Sequence, residues 1–253
     1  MRNGCVKKMQ GSTSDMISYL PINLIEKILT CMPIVDAVRT SVLSKKWRYT
    51  WVTLPELVFD DAFYRRSRTT SINKLLLTIY QVLLFHRGPI LKFKLHLSEL
   101  KSHSAIDQLI PFVSNNGVLD FVLHFMGGDP YKLPSSVFSC LQLENLELRY
   151  CLFVPPRGFN GFSKLLSLEL HDVIITSEVF SGLISNCPLL KELKLVNPGC
   201  FSYLEITAPN LRCLYCDFTY LCLKNDIPRL RLPISWLIEV EVSNWFTLFA
   251  SVI

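Results

Sequence analysis

Only 10 of the 253 residues are glycine, while half are hydrophobic, so the chain is not a disordered polymer and has enough apolar mass for a sizeable core in one large domain or two unequal ones. Its first 20 residues include Gly4, Gly11, Ser12, Thr13, Ser14 and Asp15 without an apolar run. No cleaved secretory leader is therefore expected, and a reducing compartment, cytoplasmic or nuclear, is. Cysteine does not come in an even set: nine residues (5, 31, 140, 151, 187, 200, 213, 216 and 222) fit free buried thiols better than a disulfide framework. Catalytic signatures are missing too. There is no G-x-S-x-G, no H-E-x-x-H and no phosphate-binding G-x-x-x-x-G-K-[ST], and Gly127-Gly128-Asp129-Pro130 reads as a turn. The single C-x-x-C pair, Cys213 and Cys216, lies where a strand would turn its thiols to opposite faces. His96, His124 and His171 have no cysteine or carboxylate at ligand spacing nearby. No catalytic residue, metal or cofactor is expected, and the chain reads as non-enzymatic.

Charge is divided unevenly. Residues 1–100 carry 15 Lys/Arg against 7 Asp/Glu, whereas 101–253 carry 11 against 14, so the basic character belongs to the front and calls for an acidic partner. Arg65, Arg66 and Arg68 raise nucleic acid as an alternative, but they lie in a polar stretch without interleaved aromatics and read as a solvated loop.

The stretch LPINLIEKILTCMPIVDAVRTSVLSKKWRYTW (20–51) is where the front carries its apolar side chains. Pro21 suits a first helical position, and Leu20, Leu24, Ile28 and Met32 then recur every four residues beside Ile25 and Leu29. Pro33 ends that helix, a second runs through Asp36 to Arg39, and Ser44 is placed to cap a third that carries Trp47 and Trp51 on one side. Three short helices with this much apolar surface cannot bury it among themselves.

In order, Asp15-Met16-Ile17-Ser18-Tyr19-Leu20-Pro21, Ile28-Leu29, Met32-Pro33-Ile34, Asp36-Ala37-Val38-Arg39-Thr40-Ser41 and Val42-Leu43-Ser44-Lys45-Lys46-Trp47-Arg48 resemble the F-box of plant F-box/FBD/LRR-repeat proteins. The resemblance implies a docking module for a Skp-family adaptor and, through it, a cullin ubiquitin ligase. By position it implies Leu20, Pro21, Leu24, Ile25, Ile28, Leu43 and Trp47 as adaptor contacts. Arg39, Lys45, Lys46 and Arg48 would steer toward an adaptor that is acidic in this family.

Next come a strand at Leu57–Phe59, a polar loop, and a helix opened by Ser71 and closed by Gly88-Pro89. From residue 90 a frame L-x-x-L-x-(L/C) repeats: Leu143/Leu146/Leu148, Leu165/Leu168/Leu170, Leu190/Leu193/Leu195 and Leu211/Leu214/Cys216, after degenerate copies at Ile90/Phe93/Leu95 and Val118/Phe121/Leu123. Their last apolar positions fall 28, 25, 22, 25 and 21 residues apart, the spacing of leucine-rich repeats with irregular length. Alternation puts Leu146 and Leu148 on one face of a short strand and Glu147 on the other, and only stacked neighbours bury such leucines. Segments such as 176–188 would supply helices, and a short extra strand is expected at Leu204 and Ile206. The expected fold is α/β: a three-helix F-box followed by an irregular leucine-rich-repeat solenoid, a parallel sheet with helices on its convex side.

The organisation read from the sequence is a flexible 1–14, an F-box at 15–53, a connecting strand, loop and helix at 54–89, repeats at 90–225 and a divergent tail at 226–253. The alternate strand positions form a polar strip for a protein target: Lys92, Lys94, His96, Val122 and His124 at its start, then Asn145, Glu147, Arg149, Ser167, Glu169, His171, Glu192, Lys194 and Tyr215. The chain is thus expected to act as the target-recognition subunit of a ubiquitin ligase. The alternatives are a scaffold that binds the adaptor without promoting degradation, or a nucleic-acid binder using the basic front. The tail resembles the family less, as in a shortened or divergent member. Its apolar end is not expected to anchor in a membrane, because Glu239 and Glu241 would be costly there. The alternation Ile238–Val242 instead predicts a strand capping the sheet edge beyond Leu221 and Leu223.

Overall fold

A computed structural model describes residues 16–69, 71–98, 105–197, 203–217, 229–231 and 240–242. It divides into two compact units, Met1–Trp51 and Val52–Ile253. Leu221, Leu223, Cys5, Cys200 and Cys222, as well as the flexible N-terminus expected at 1–14, lie outside the described residues.

The first unit is helical. Helix α1 (Ile22–Thr30) starts one residue after Pro21, whose carbonyl accepts from the Leu24 and Ile25 amides at 3.0 and 3.2 Å, and α2 (Ile34–Arg39) follows Pro33 in the same way. In both places proline supplies the extended backbone that precedes a helix and gives up no needed donor. The expected third helix is replaced by 3-10 turns at Thr40–Val42 and Thr50–Thr53 with plain turns between them. Ser44 makes no capping bond. The Thr50 hydroxyl instead donates to the Lys46 carbonyl at 2.6 Å and the Ser41 hydroxyl to that of Arg48 at 3.0 Å. Such side-chain bonds let the backbone settle without a regular helix.

The second unit is built on an eight-stranded, wholly parallel sheet in the order β1-β2-β3-β5-β7-β8-β10-β12. Its strands are β1 (Glu56–Asp60), β2 (Lys92–His96), β3 (Asp120–His124), β5 (Asn145–Arg149), β7 (Ser167–His171), β8 (Glu192–Val196), β10 (Cys213–Asp217) and β12 (Val240–Val242). Two short parallel pairs lie outside it: β4 (Tyr131–Lys132) with β6 (Cys151–Leu152), and β9 (Tyr203–Glu205) with β11 (Arg229–Arg231). Every repeat frame read from the sequence ends in a strand of the main sheet. Because the register is unshifted, equivalent positions stack: Leu57, Phe93, Phe121, Leu146, Leu168, Leu193 and Leu214 form one buried row, and Phe59, Leu95, Leu123, Leu148, Leu170, Leu195 and Cys216 the next. Aromatics continue between rungs, with the Phe59 and Phe93 rings 5.9 Å apart and those of Phe93 and Phe121 stacked at 5.8 Å.

Residues 54–89, read from the sequence as a connector, carry the first rung of this sheet in β1. The polar stretch after it is a helix, α3 (Asp61–Ser67), because Asp60 accepts from the Phe63 amide at 2.9 Å and Phe63 is buried. Helix α4 (Ile72–Phe85) follows and buries Leu75, Leu76, Ile79, Val82 and Leu83. Helices α5 (Ile106–Ser114) and α6 (Ser177–Ser185) connect later rungs, the latter capped by Thr176 accepting from Val179 N at 3.4 Å. Strand β9 falls where a short extra strand is expected, but pairs with β11 rather than with the main sheet. Strand β12 pairs directly with β10, so the tail adds a rung at the sheet edge.

After β5, β7 and β8 the chain turns through a non-glycine residue of positive φ: Tyr150 at 58°, Asp172 at 50° and Asn197 at 45°. Each amide there donates one rung onward, to His171, Val196 and Asp217 carbonyls at 2.9, 2.9 and 2.8 Å. The hydrogen bond offsets the left-handed backbone at these corners. Gly161 answers a different need. A Cβ there would lie 2.5 Å from the Asn186 carbonyl oxygen, so only glycine admits the approach.

Candidate functional site

Two surfaces concentrate unusual side chains, one in each unit. On α1, Ile25 and Leu29 are fully buried, whereas Leu24 and Ile28 remain 44% and 39% exposed. At 3.6 residues per turn the second pair sits about 100° around the helix from the first, so an exposed apolar flank runs beside the buried seam. Pro21, Ile22, Val42, Leu43 and Tyr49 are exposed as well, and Leu20 is half-buried. Of the seven residues read as adaptor contacts, Pro21, Leu24, Ile28, Leu43 and Leu20 thus present surface. Ile25 and Trp47 do not: Trp47 is 4% exposed and its indole N–H donates to the Ile17 carbonyl at 3.2 Å. Lys45, Lys46 and Arg48 are exposed, with Lys46 Nζ donating to the Leu20 carbonyl at 3.4 Å, while Arg39 pairs with Asp36 at 3.2 Å. The helical repeat of four in the sequence could not separate seam from flank; Ile22 on the helix, with Val42 and Tyr49 in the turns after it, adds exposed apolar surface that the sequence reading did not single out.

The second surface is the polar face of the sheet. Unshifted register sorts its side chains into rows: Lys92, Asp120, Asn145, Ser167, Glu192; then Lys94, Val122, Glu147, Glu169, Lys194, Tyr215; then His96, His124, Arg149, His171. All nine residues expected for the target lie on this face. Asn145 bonds to Asp120. His124 Nε2 lies 2.7 Å from Glu147 Oε1, His171 Nε2 lies 3.1 Å from Glu169 Oε2, and Lys194 Nζ approaches the same Glu169 oxygen at 3.3 Å while sitting 5.8 Å from the centre of the Tyr215 ring. The His96 and His124 rings are 4.5 Å apart. Contact with the His124 ring holds the Glu147 carboxyl below its ordinary value. Desolvation, then the neighbouring His124 and Lys94, holds the His96 imidazole below its own. Like-charged Glu147 and Glu169 are register partners, an arrangement that repels unless cations stand beside it. The His124–Glu147 and Lys194–Glu169 pairs were not visible in the sequence, because they are lateral: strand pairing, not local spacing, assembles them, whereas His171 and Glu169 are two apart on β7.

Of the buried thiols the sequence suggests, Cys140, Cys151, Cys187 and Cys216 are buried, whereas Cys31 and Cys213 are exposed. Among the described residues all are free, and burial pushes Cys187 up to about 11 and Cys216 up to about 12. Cys213, three residues before buried Cys216, is exposed, so the pair points to opposite faces. Among the described residues no helix is long and apolar enough to cross a membrane.

Residues 17–59 match the F-box domain family, and residues 106–237 match the repeats of a family described as FBD-associated F-box protein At5g56370, LRR repeats. The chain is 42% identical over 244 residues to the F-box/FBD/LRR-repeat protein At1g13570 of Arabidopsis thaliana, covering 93% of this chain and 57% of that one. It is 32% identical over 218 residues to the F-box/LRR-repeat protein At4g14103 of the same plant, covering 80% and 55%. It is 35% identical over 185 residues to the putative F-box/FBD/LRR-repeat protein At4g13965, again of Arabidopsis thaliana, covering 71% and 42%. The chain thus spans about half the length of the curated relatives it matches. No solved structure matches it.

Proposed function

The chain belongs to the plant F-box family with leucine-rich repeats, and from that premise we propose that it is the target-recognition subunit of a Skp/cullin/F-box ubiquitin ligase. The observation that carries this reading is the apolar flank of α1: Leu24 and Ile28 stand exposed beside a fully buried Ile25/Leu29 seam. A soluble helix gains nothing from such a flank alone; a partner that covers it gains apolar burial. On this reading Leu20, Pro21, Leu24, Ile28 and Leu43 meet a Skp-family adaptor, Ile25 and Trp47 support them from inside, and Lys45, Lys46 and Arg48 steer an acidic partner into place.

The polar sheet face would then hold a protein target through Asn145, Glu147, Arg149, Ser167, Glu169, His171, Glu192, Lys194 and Tyr215. Such mixed polar faces suit specificity better than bulk affinity. The ubiquitin-transferring chemistry belongs to other subunits; this chain contributes proximity, in the cytoplasm or nucleus, and no bond-making. Pull-down of a purified Skp-family adaptor, followed by reconstituted ubiquitination of captured target, tests the proposal. Adaptor binding with ubiquitin transfer supports it. Adaptor binding without transfer would mark a scaffold, and no adaptor binding would remove the premise of docking.

A further inference from the structure

We propose that Ser71 is a phosphorylation site for an arginine-directed serine/threonine kinase, and that the phosphate it receives completes the start of α4. This goes beyond the docking and recognition roles and does not depend on them. Arg65, Arg66 and Arg68 belong neither to the apolar flank of α1 nor to the polar sheet face, and all three are exposed. Arg66 and Arg68 stand five and three residues before Ser71, and Ile72 follows it, so the chain reads R-x-R-x-x-S with an apolar residue next. Kinases select substrates by such charge patterns, and each arginine offers a planar set of donors to a carboxylate in an acidic groove.

The structure separates Ser71 from the hydroxyls beside it. Ser67 Oγ donates to the Tyr64 carbonyl at 2.7 Å and therefore accepts from Thr69 Oγ1 at 2.9 Å, so both hydroxyls are committed to the turn that ends α3. Thr70 has Ser67, not arginine, three residues before it. Ser71 is different: its backbone is extended, with φ −149° and ψ 138°, it is partly exposed, and its hydroxyl makes no capping bond. Arg68 ends α3 at φ 56°, so it and Ser71 both lie outside the helices.

Helix α4 runs for 14 residues yet starts without a capping oxygen and without an acidic residue in its first turn. The amides there have no acceptor within the helix, so this end frays and yields Ser71 and Ile72 to a kinase groove. In the transfer, Ser71 Oγ bonds to the γ-phosphorus of ATP, the bond from that phosphorus to the β–γ bridging oxygen breaks, ADP leaves with the electron pair, and the hydroxyl proton passes to the base of the kinase. The product carries a charge of about −1.5 to −2 and three acceptor oxygens. At the N-cap these accept from the Asn73 and Lys74 amides and oppose the helix dipole, while the exposed Lys74 one turn along adds a cation. Repulsion is low in the surrounding sequence, because residues 62–98 hold seven Lys/Arg and no Asp/Glu. The tightened helix is the one that buries Leu75, Leu76 and Ile79.

The test incubates the full-length chain with magnesium ATP and a purified kinase selective for R-x-R-x-x-S/T, and locates phosphate by fragmentation mass spectrometry. The same mapping is applied to tagged chain isolated from plant cells under phosphatase inhibitors. Phosphate is expected at Ser71 in both preparations. Ser71→Thr should keep the modification, and Arg68→Gln, checked for fold by circular dichroism, should slow it about tenfold, the loss of one charge-assisted hydrogen bond. Phosphorylation should slow hydrogen exchange of the Asn73 and Lys74 amides about fivefold, as a gained cap and a compensated dipole require. Absence of phosphate from Ser71 in either preparation, phosphate chiefly on Thr69 or Thr70, a rate within twofold of wild type in Arg68→Gln, or unchanged exchange at Asn73 and Lys74 overturns the proposal.

Discussion

Truncating Leu24 and Ile28 together to alanine should cost adaptor affinity but little folded stability, whereas truncating Leu29 in the same helix should do the reverse. Complete burial of a leucine or isoleucine side chain is worth about 1.5–3 kcal/mol. With 44% of Leu24 and 39% of Ile28 still accessible, docking has about 1 kcal/mol to gain from each. The double variant should therefore bind about 2 kcal/mol more weakly, roughly 30-fold. Leu29 is fully buried, so its alanine variant loses about 2–5 kcal/mol of folding free energy. At about 0.05–0.15 kcal/mol per residue, that approaches the whole stability of a helical unit of this size. The assay pairs biolayer interferometry against an immobilised Skp-family adaptor with thermal unfolding of each variant. Wild-type affinity in a folded Leu24→Ala/Ile28→Ala chain would refute the flank as the docking surface.

Further expectations follow from the sheet. Phe121→Ala removes a fully buried ring stacked on Phe93 and should cost about 3–5 kcal/mol, read as a lower denaturant midpoint. His96 and Glu147 both titrate below their ordinary values in the folded chain, so the unfolded chain takes up protons first and acid destabilises. The His96 contribution is lost as pH falls from 6.5 toward its folded value, and that of Glu147 as pH falls below 4.5. His96→Gln should flatten the decline of melting temperature just below pH 6.5, and an unchanged slope would contradict the assignment. Among the described cysteines, Cys31 and Cys213 should alkylate readily in the native protein and Cys151, Cys187 and Cys216 should resist, as peptide mapping after brief iodoacetamide treatment would reveal. Deleting residues 226–253 removes β12 from the β10 edge and should lower melting temperature and solubility; a deletion that stays monomeric with unchanged stability would refute the capping role.

The solenoid was legible because each frame states its own structure: two apolar positions with a polar one between them are a strand that needs neighbours, and six frames of similar spacing supply them. The first rung shows where this reasoning stops. Leu54-x-x-Leu57-x-Phe59 carries the same frame, but 36 residues separate Phe59 from Leu95, far beyond one repeat, because α3 and α4 both intervene. Helix α3 was hidden behind its arginines, although Asp60 with apolar Phe63 three residues on is a helix-start pattern. The third F-box helix failed for the opposite reason: its residues permit a helix, but Ser41 and Thr50 hydroxyls take backbone carbonyls locally. Which residues share the polar sheet face was legible from alternation alone, while its cross-strand pairings depend on lateral register that no local spacing encodes.

The division of labour between the two surfaces is tested most directly by affinity purification of the full-length chain from plant cells with the proteasome blocked, comparing the wild type with Glu147→Lys/Glu169→Lys. The two carboxylates belong to β5 and β7 of the sheet unit, whereas Leu24 and Ile28 belong to the helical unit. A Skp-family adaptor should be recovered equally with both proteins, and at least one ubiquitinated partner of the wild type should be lost from the charge-reversed variant. Recovery of the same partners with both, or loss of the adaptor from a folded variant, would contradict the account.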